Sequence, residues 1–161
     1  MAFIDTDIED PVDNAPFYNV NYAVGKNCPN YREDVLLVQF FLKRIYMNEF
    51  MKAQTPKGQM KVDGNCGPIT CNWILKFQID MMNGGLKCYP DGVVNKAGNN
   101  KSNWESSISK TNYTIRLINN GLRKLEPELY KSLAVHPDVP HELRWMFTQM
   151  QSQSTAVITA K

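Results

Sequence analysis

The stretch Val62-Asp63-Gly64-Asn65-Cys66-Gly67-Pro68-Ile69-Thr70-Cys71-Asn72-Trp73-Ile74-Leu75-Lys76-Phe77-Gln78 decides the fold. Asp63-Gly64 makes a turn, Gly67 permits close backbone approach, and Pro68 suits the first position of a helix, where its missing N–H costs nothing. A helix is therefore expected from near Pro68. Trp73, Ile74, Phe77 and Met81 share one apolar face, and Gly84-Gly85 stops the element.

Upstream, Pro29 and Asn30 form a turn, and Glu33-Asp34 place negative charge at a second helix start. Val35, Val38, Phe41, Leu42 and Ile45 give that helix a buried stripe reaching Tyr46 or a turn beyond. Lys52 to Gln59 has no apolar period and reads as an exposed loop broken by Pro56 and Gly58. Residues 1–22 hold five acids and scattered aromatics (Phe3, Phe17, Tyr18, Tyr22) and read as an extended acidic arm that docks through those aromatics.

Downstream, Tyr89-Pro90-Asp91-Gly92 repeats the Asp-Gly turn 28 residues after the first. The copy is degenerate, because a polar stretch to Ser109 follows instead of an immediate helix. Two further helices are expected, Thr111 to Leu125 (Ile115, Ile118, Leu122, Leu125) and Pro140 to Gln151 (Leu143, Met146, Phe147, Met150), joined by a short turn at Pro127 to Ala134. The polar tail from 151 to 161 ends in strand-like residues with no visible partner. These elements make an all-α chain: the arm, a helical domain over 23–125, a helical extension over 126–150, and the tail.

Composition narrows the function. No apolar run is long enough to span a membrane, and the first residues lack the basic start and apolar stretch of a secretory signal. The expected compartment is the cytoplasm, with delivery outside only by lysis or in a secretion or phage particle. From Lys26 onward eleven acids face eighteen Lys and Arg, a net of +7, but the basic residues are scattered and nucleic-acid binding is not expected. Cys28, Cys66, Cys71 and Cys88 form no C-x-x-C pair and read as reduced, mostly buried thiols, with no cofactor and no metal.

Val38-Gln39-Phe40-Phe41-Leu42, then Asp63-Gly64-x-x-Gly67-Pro68-x-Thr70, then Phe77-Gln78, resemble the ordered motifs of bacterial peptidoglycan-binding domains. The resemblance covers slightly under half the chain. It implies a small orthogonal three-helix bundle, here with C-terminal helices and extended termini. It departs after Asp91-Gly92, where the family re-enters a helix through a second Gly-x-x-Thr. The ligand-contacting candidates it supplies are Gln39, Asp63, Asn65, Thr70, Trp73, Gln78 and Asp91, with Gly64, Gly67, Pro68 and Gly92 shaping the turns. For all of these the competing role is structural: Asp63 caps its own turn, the glycines and Pro68 set dihedrals, and Trp73 and Phe77 fill the core.

Catalytic parts are not legible. His136 and His141 are separated by Pro137 and Pro140, which breaks helical facing, while Glu33-Asp34 and Glu126-Glu128 read as helix-start charges. The expectation is a non-enzymatic module that binds cell-wall glycopeptide. The alternative is an assembly subunit of a phage particle, injection device or filament, reusing the fold for protein contacts and self-associating through its termini.

Overall fold

The computed structural model describes residues 1–5, 16–98 and 111–159, with backbone alone for 151–159. The acids from Asp7 to Asp13 and most of the polar stretch after Gly98 lie outside the described residues.

Five α-helices are described: α1 (Arg32–Met47), α2 (Pro68–Asn83), α3 (Thr114–Leu125), α4 (Pro127–Lys131) and α5 (His141–Thr159). The protein is predominantly helical. It is not all-α, because β1 (Phe3–Asp5) and β2 (Phe17–Asn19) form an antiparallel ribbon in register Phe3↔Asn19, Ile4↔Tyr18, Asp5↔Phe17. A 3-10 turn at Lys52–Gln54 opens the segment expected to be plain loop.

Helix α1 is central. Its expected stripe is buried, and so are Leu36, Leu37, Gln39 and Phe40, so almost no face of the helix meets solvent between Asp34 and Leu42. Helix α2 starts with Pro68 at its first position and ends in a Schellman motif, with Leu86 N–H bonded to Met81 O and Gly85 N–H to Met82 O. Trp73, Ile74 and Phe77 bury its apolar face. Ile115, Ile118 and Leu122 of α3 and Leu143, Met146 and Phe147 of α5 complete the core.

The N-terminal ribbon is part of that core. Tyr18 is enclosed by Phe41, Tyr130 and Phe147 at ring separations of 5.9, 5.4 and 4.8 Å. Asn119 locks the strand backbone: Oδ1 accepts from Tyr18 N–H at 2.9 Å, and Nδ2 donates to Tyr18 O at 2.9 Å. Asp34 does more than supply helix-start charge. It is fully buried and accepts the N–H groups of Asn21 at 3.0 Å and Tyr22 at 3.1 Å, fixing the link between ribbon and α1.

Two sequence expectations fail at the C-terminus and the thiols. The segment read as a tail with a strand-like end continues α5 through Thr159, because a helix already under way adds residues more easily than a lone strand forms. Among the cysteines only Cys88 is buried; Cys28, Cys66 and Cys71 are half-buried.

Candidate functional site

The two Asp-Gly turns are wired alike, each to a glutamine projecting from the preceding helix. Gln39 Nε2 donates to Asp63 Oδ1 (3.3 Å), Asn65 O (3.0 Å) and Thr70 Oγ1 (3.0 Å). Its Oε1 accepts the N–H groups of Asp63 (3.1 Å) and Gly64 (2.9 Å). In the second unit Gln78 Nε2 donates to Asp91 Oδ1 (3.1 Å), Val93 O (3.1 Å) and Thr114 Oγ1 (2.9 Å), and Oε1 accepts from Gly92 N–H (2.8 Å). Each aspartate caps its own turn, from Asn65 N–H in one and Val93 N–H in the other, both at 2.9 Å.

The degenerate copy thus keeps the glutamine's three donated bonds and the aspartate cap, with one turn N–H on Oε1 where the first unit has two. The threonine that follows the first turn within a few residues arrives in the second at Thr114, the first residue of α3, on the far side of the inserted stretch. Gly64 and Gly92 sit at φ +79° and +72°, where a glycine avoids the Cβ–carbonyl clash. A two-residue bridge, with Val24 N–H to Val94 O at 3.0 Å and Val94 N–H to Val24 O at 2.8 Å, ties the approach to α1 to the second turn.

This wiring assigns places to the sequence candidates. Gln39, Thr70 and Gln78 are buried, and their polar atoms are engaged within the chain. Trp73 is 5% exposed, donates Nε1–H to Gly58 O at 3.1 Å and meets Tyr46 edge-on at 5.6 Å. Asp63 is half-buried, whereas Asn65 and Asp91 reach the surface. The Asp63 carboxyl is held below its ordinary range, chiefly by the Asn65 N–H and with help from Gln39. Tyr46 is pushed up by burial and by its 2.6 Å bond to Asp80.

Beside each turn lies a cleft against the N-terminus of the helix that follows. The first, about 430 Å³, is lined by Gly25, Lys26, Cys66, Pro68, Cys71 and Asn72. The second, about 340 Å³, is lined by Tyr89, Asp91, Asn95, Asn112, Tyr113 and Thr114. Their chemistry differs: thiols and amides line the first, phenols and amides the second. Tyr89 is 64% exposed at the second rim. Asn112 is oriented by its bonds to Lys87 O (3.0 Å) and from Arg116 Nη1 (2.5 Å). Tyr89, Asn95, Asn112 and Tyr113 were not singled out from sequence; the available signal was an aromatic directly before Pro90-Asp91-Gly92.

Other charged residues brace the helices. Arg32 donates Nη1–H to Asp63 O at 2.6 Å and grips Glu142 of α5 through Nε and Nη2 at 2.9 and 2.7 Å. Arg44 grips Glu126 at 2.8 and 2.7 Å and reaches Asp138 at 3.2 Å, so Glu126 serves a cross-helix pair as well as the start of α4. His136 Nδ1 accepts the Asp138 N–H at 3.2 Å. Among the described residues no group of three or more His, Cys, Asp or Glu is arranged to hold a metal ion, and no helix is long and apolar enough to cross a membrane. Compared with models of known families, with characterised proteins and with solved structures, the chain has no significant match.

Proposed function

We propose that this protein is a non-catalytic binding module for cell-wall glycopeptide, that α1, α2 and α3 form a peptidoglycan-binding three-helix arrangement, and that the second cleft is its ligand site. The observation that supports the reading is the paired Gln–Asp-Gly–Thr wiring, which gives the residues quoted for the motif resemblance matching hydrogen-bonded places in the two units. The second cleft suits a sugar bearing amides: Tyr89 offers a flat apolar face, while Asp91, Asn95 and Asn112 bring polar groups to its walls. The buried motif residues then act as scaffold, and contact falls to Asp91 and its neighbours. The non-catalytic reading is consistent with Cys88 beside the second unit, whose thiol is pushed up by burial, the reverse of an activated nucleophile.

Sedimentation with purified sacculi tests this. The protein is expected to co-pellet, and Tyr89→Ala to weaken retention about tenfold, the loss of one aromatic contact to the ligand. No co-pelleting above a protein of matched charge ends the reading.

One observation favours the assembly alternative. Phe50 is 87% exposed and Met47 58% exposed at the end of α1, an apolar spot that a partner subunit would cover. The N-terminal aromatics Phe17 and Tyr18 give it no support, since both are buried in the protein's own core. A light-scattering mass of one chain over a wide concentration range removes self-assembly.

A further inference from the structure

The first cleft is lined by Cys66 and Cys71, and the loop that faces them carries Cys28. Cys66 precedes the α2 cap Gly67, Cys71 lies one turn into α2, and their Sγ atoms are 3.7 Å apart. Cys28 lies on the facing loop, whose residues Gly25, Lys26, Asn27 and Asn30 line the same cleft, and its thiol is pushed up by burial and by the Cys71 charge. That loop is rigidly built. Asn30 bonds Gly25 N–H and Gly25 O at 2.8 Å each and Cys28 O at 3.1 Å, and Asn27 and Asn30 hold left-handed φ of 61° and 52°.

From this geometry we infer that Cys66 and Cys71 are a redox-active pair that closes into a disulfide across the α2 N-terminus, with Cys28 as a third thiol able to exchange into it. The oxidant is a low-molecular-weight disulfide, which the open cleft admits. The Cys71 thiolate attacks one sulfur of that disulfide, forming a mixed disulfide and expelling one small thiolate. The Cys66 thiolate then attacks the Cys71 sulfur, and the second small thiolate leaves. The two protons released by the protein thiols pass to the departing thiolates, so two protein thiols are oxidised as one small disulfide is reduced. Burial, and next the Cys71 charge, push the Cys66 thiol up to about 12. Once Cys71 is in the mixed disulfide, that charge is gone and the second step is eased. Cys88 takes no part: it is buried elsewhere, 3.8 Å from Thr114 Oγ1.

The experiment equilibrates the folded, full-length protein with oxidised glutathione and maps its peptides without reduction. The expected product has lost two hydrogens, carries a Cys66–Cys71 link, and shows two of its four thiols closed to a chromogenic thiol reagent. Cys71→Ser is expected to move the link to Cys28–Cys66, and Cys88→Ser to leave the wild-type map unchanged. Four titratable thiols after equilibration overturn the inference. So does a map dominated by Cys88, or by the scrambled links of a denatured control. The outcome is independent of whether sacculi are bound, so failure of one reading leaves the other standing.

Discussion

The two turn units share a hydrogen-bond plan but differ in how firmly it is held. In the first, Gln39 satisfies two turn N–H groups and Arg32 braces the same turn from outside; in the second, Gln78 accepts from Gly92 alone, with no comparable clamp on the Asp91 carbonyl among the bonds described. A buried amide that satisfies several orphan backbone groups acts as a rigid pin, and the first unit has the stronger one. The second unit absorbs an insertion between its turn and its threonine and still reforms the bond. The glutamine–threonine geometry is therefore a requirement of the fold that tolerates very different connecting lengths, and the looser unit is the one that keeps polar and aromatic side chains at its surface.

The strongest way to break this comparison is to remove each glutamine. Gln39→Leu leaves the N–H groups of Asp63 and Gly64 buried without partners and is expected to cost about 3–4 kcal/mol; Gln78→Leu strands one such group and costs about 2–3 kcal/mol. Urea unfolding midpoints measure both, and equal losses would mean that the extra bond of the first unit carries no weight.

Next in size are the glycines. A Cβ at Gly64 meets Arg32 Cγ and Nη1 at 2.8 Å each, so Gly64→Ala must displace Arg32 from Asp63 and Glu142 and is expected to cost about 2 kcal/mol. At Gly92 the nearest atoms are Cys71 O at 3.8 Å and Leu75 Cβ at 3.9 Å, an ordinary contact, so Gly92→Ala pays only for the left-handed backbone, about 1 kcal/mol. Thermal unfolding of the two variants separates them.

Smaller again are Thr70→Val and Thr114→Val. Each glutamine retains two other acceptors for its two N–H bonds, so each change is expected to cost about 1 kcal/mol. A double-mutant cycle between Gln39 and Thr70 should give a coupling of similar size.

The least effect is electrostatic. Because the folded Asp63 carboxyl lies below its ordinary value, it favours the native state above about pH 4, and that support fades as pH falls through the lowered value. Its exposure keeps the effect small. Asp63→Asn flattens the acid limb of the melting-temperature profile; an unchanged limb contradicts the assignment.

What could be read from sequence follows the range of the interactions involved. The Asp63-Gly64 turn, Pro68 at a helix start and the Gly84-Gly85 stop are set by dihedral and capping preferences within a few residues, and α1 and α2 follow from them. Gln39 and Gln78 stood out by their place in the motif, but nothing local distinguishes a glutamine facing a ligand from one pinning a turn. Thr114 was hidden by the insertion, and its helix starts three residues later than periodicity suggested. Asn119 gives no local signal, and Asp34 shows only as a helix-start charge, because their partners, Tyr18 and the Asn21-Tyr22 backbone, are distant or outside the helix. Val157-Ile158-Thr159 favours strand by composition, and the preceding helix overrides it.

The enclosure of Tyr18 has a consequence for biosynthesis. The strand that carries it is synthesised 101 residues ahead of its backbone partner Asn119, and its ring neighbours include Tyr130 and Phe147. Until those residues follow, this apolar segment lacks its partners, and the core can close only as α3 and α5 emerge. The nascent segment must be shielded from premature association until then, and a truncation ahead of α5 leaves a polypeptide with an unfinished core.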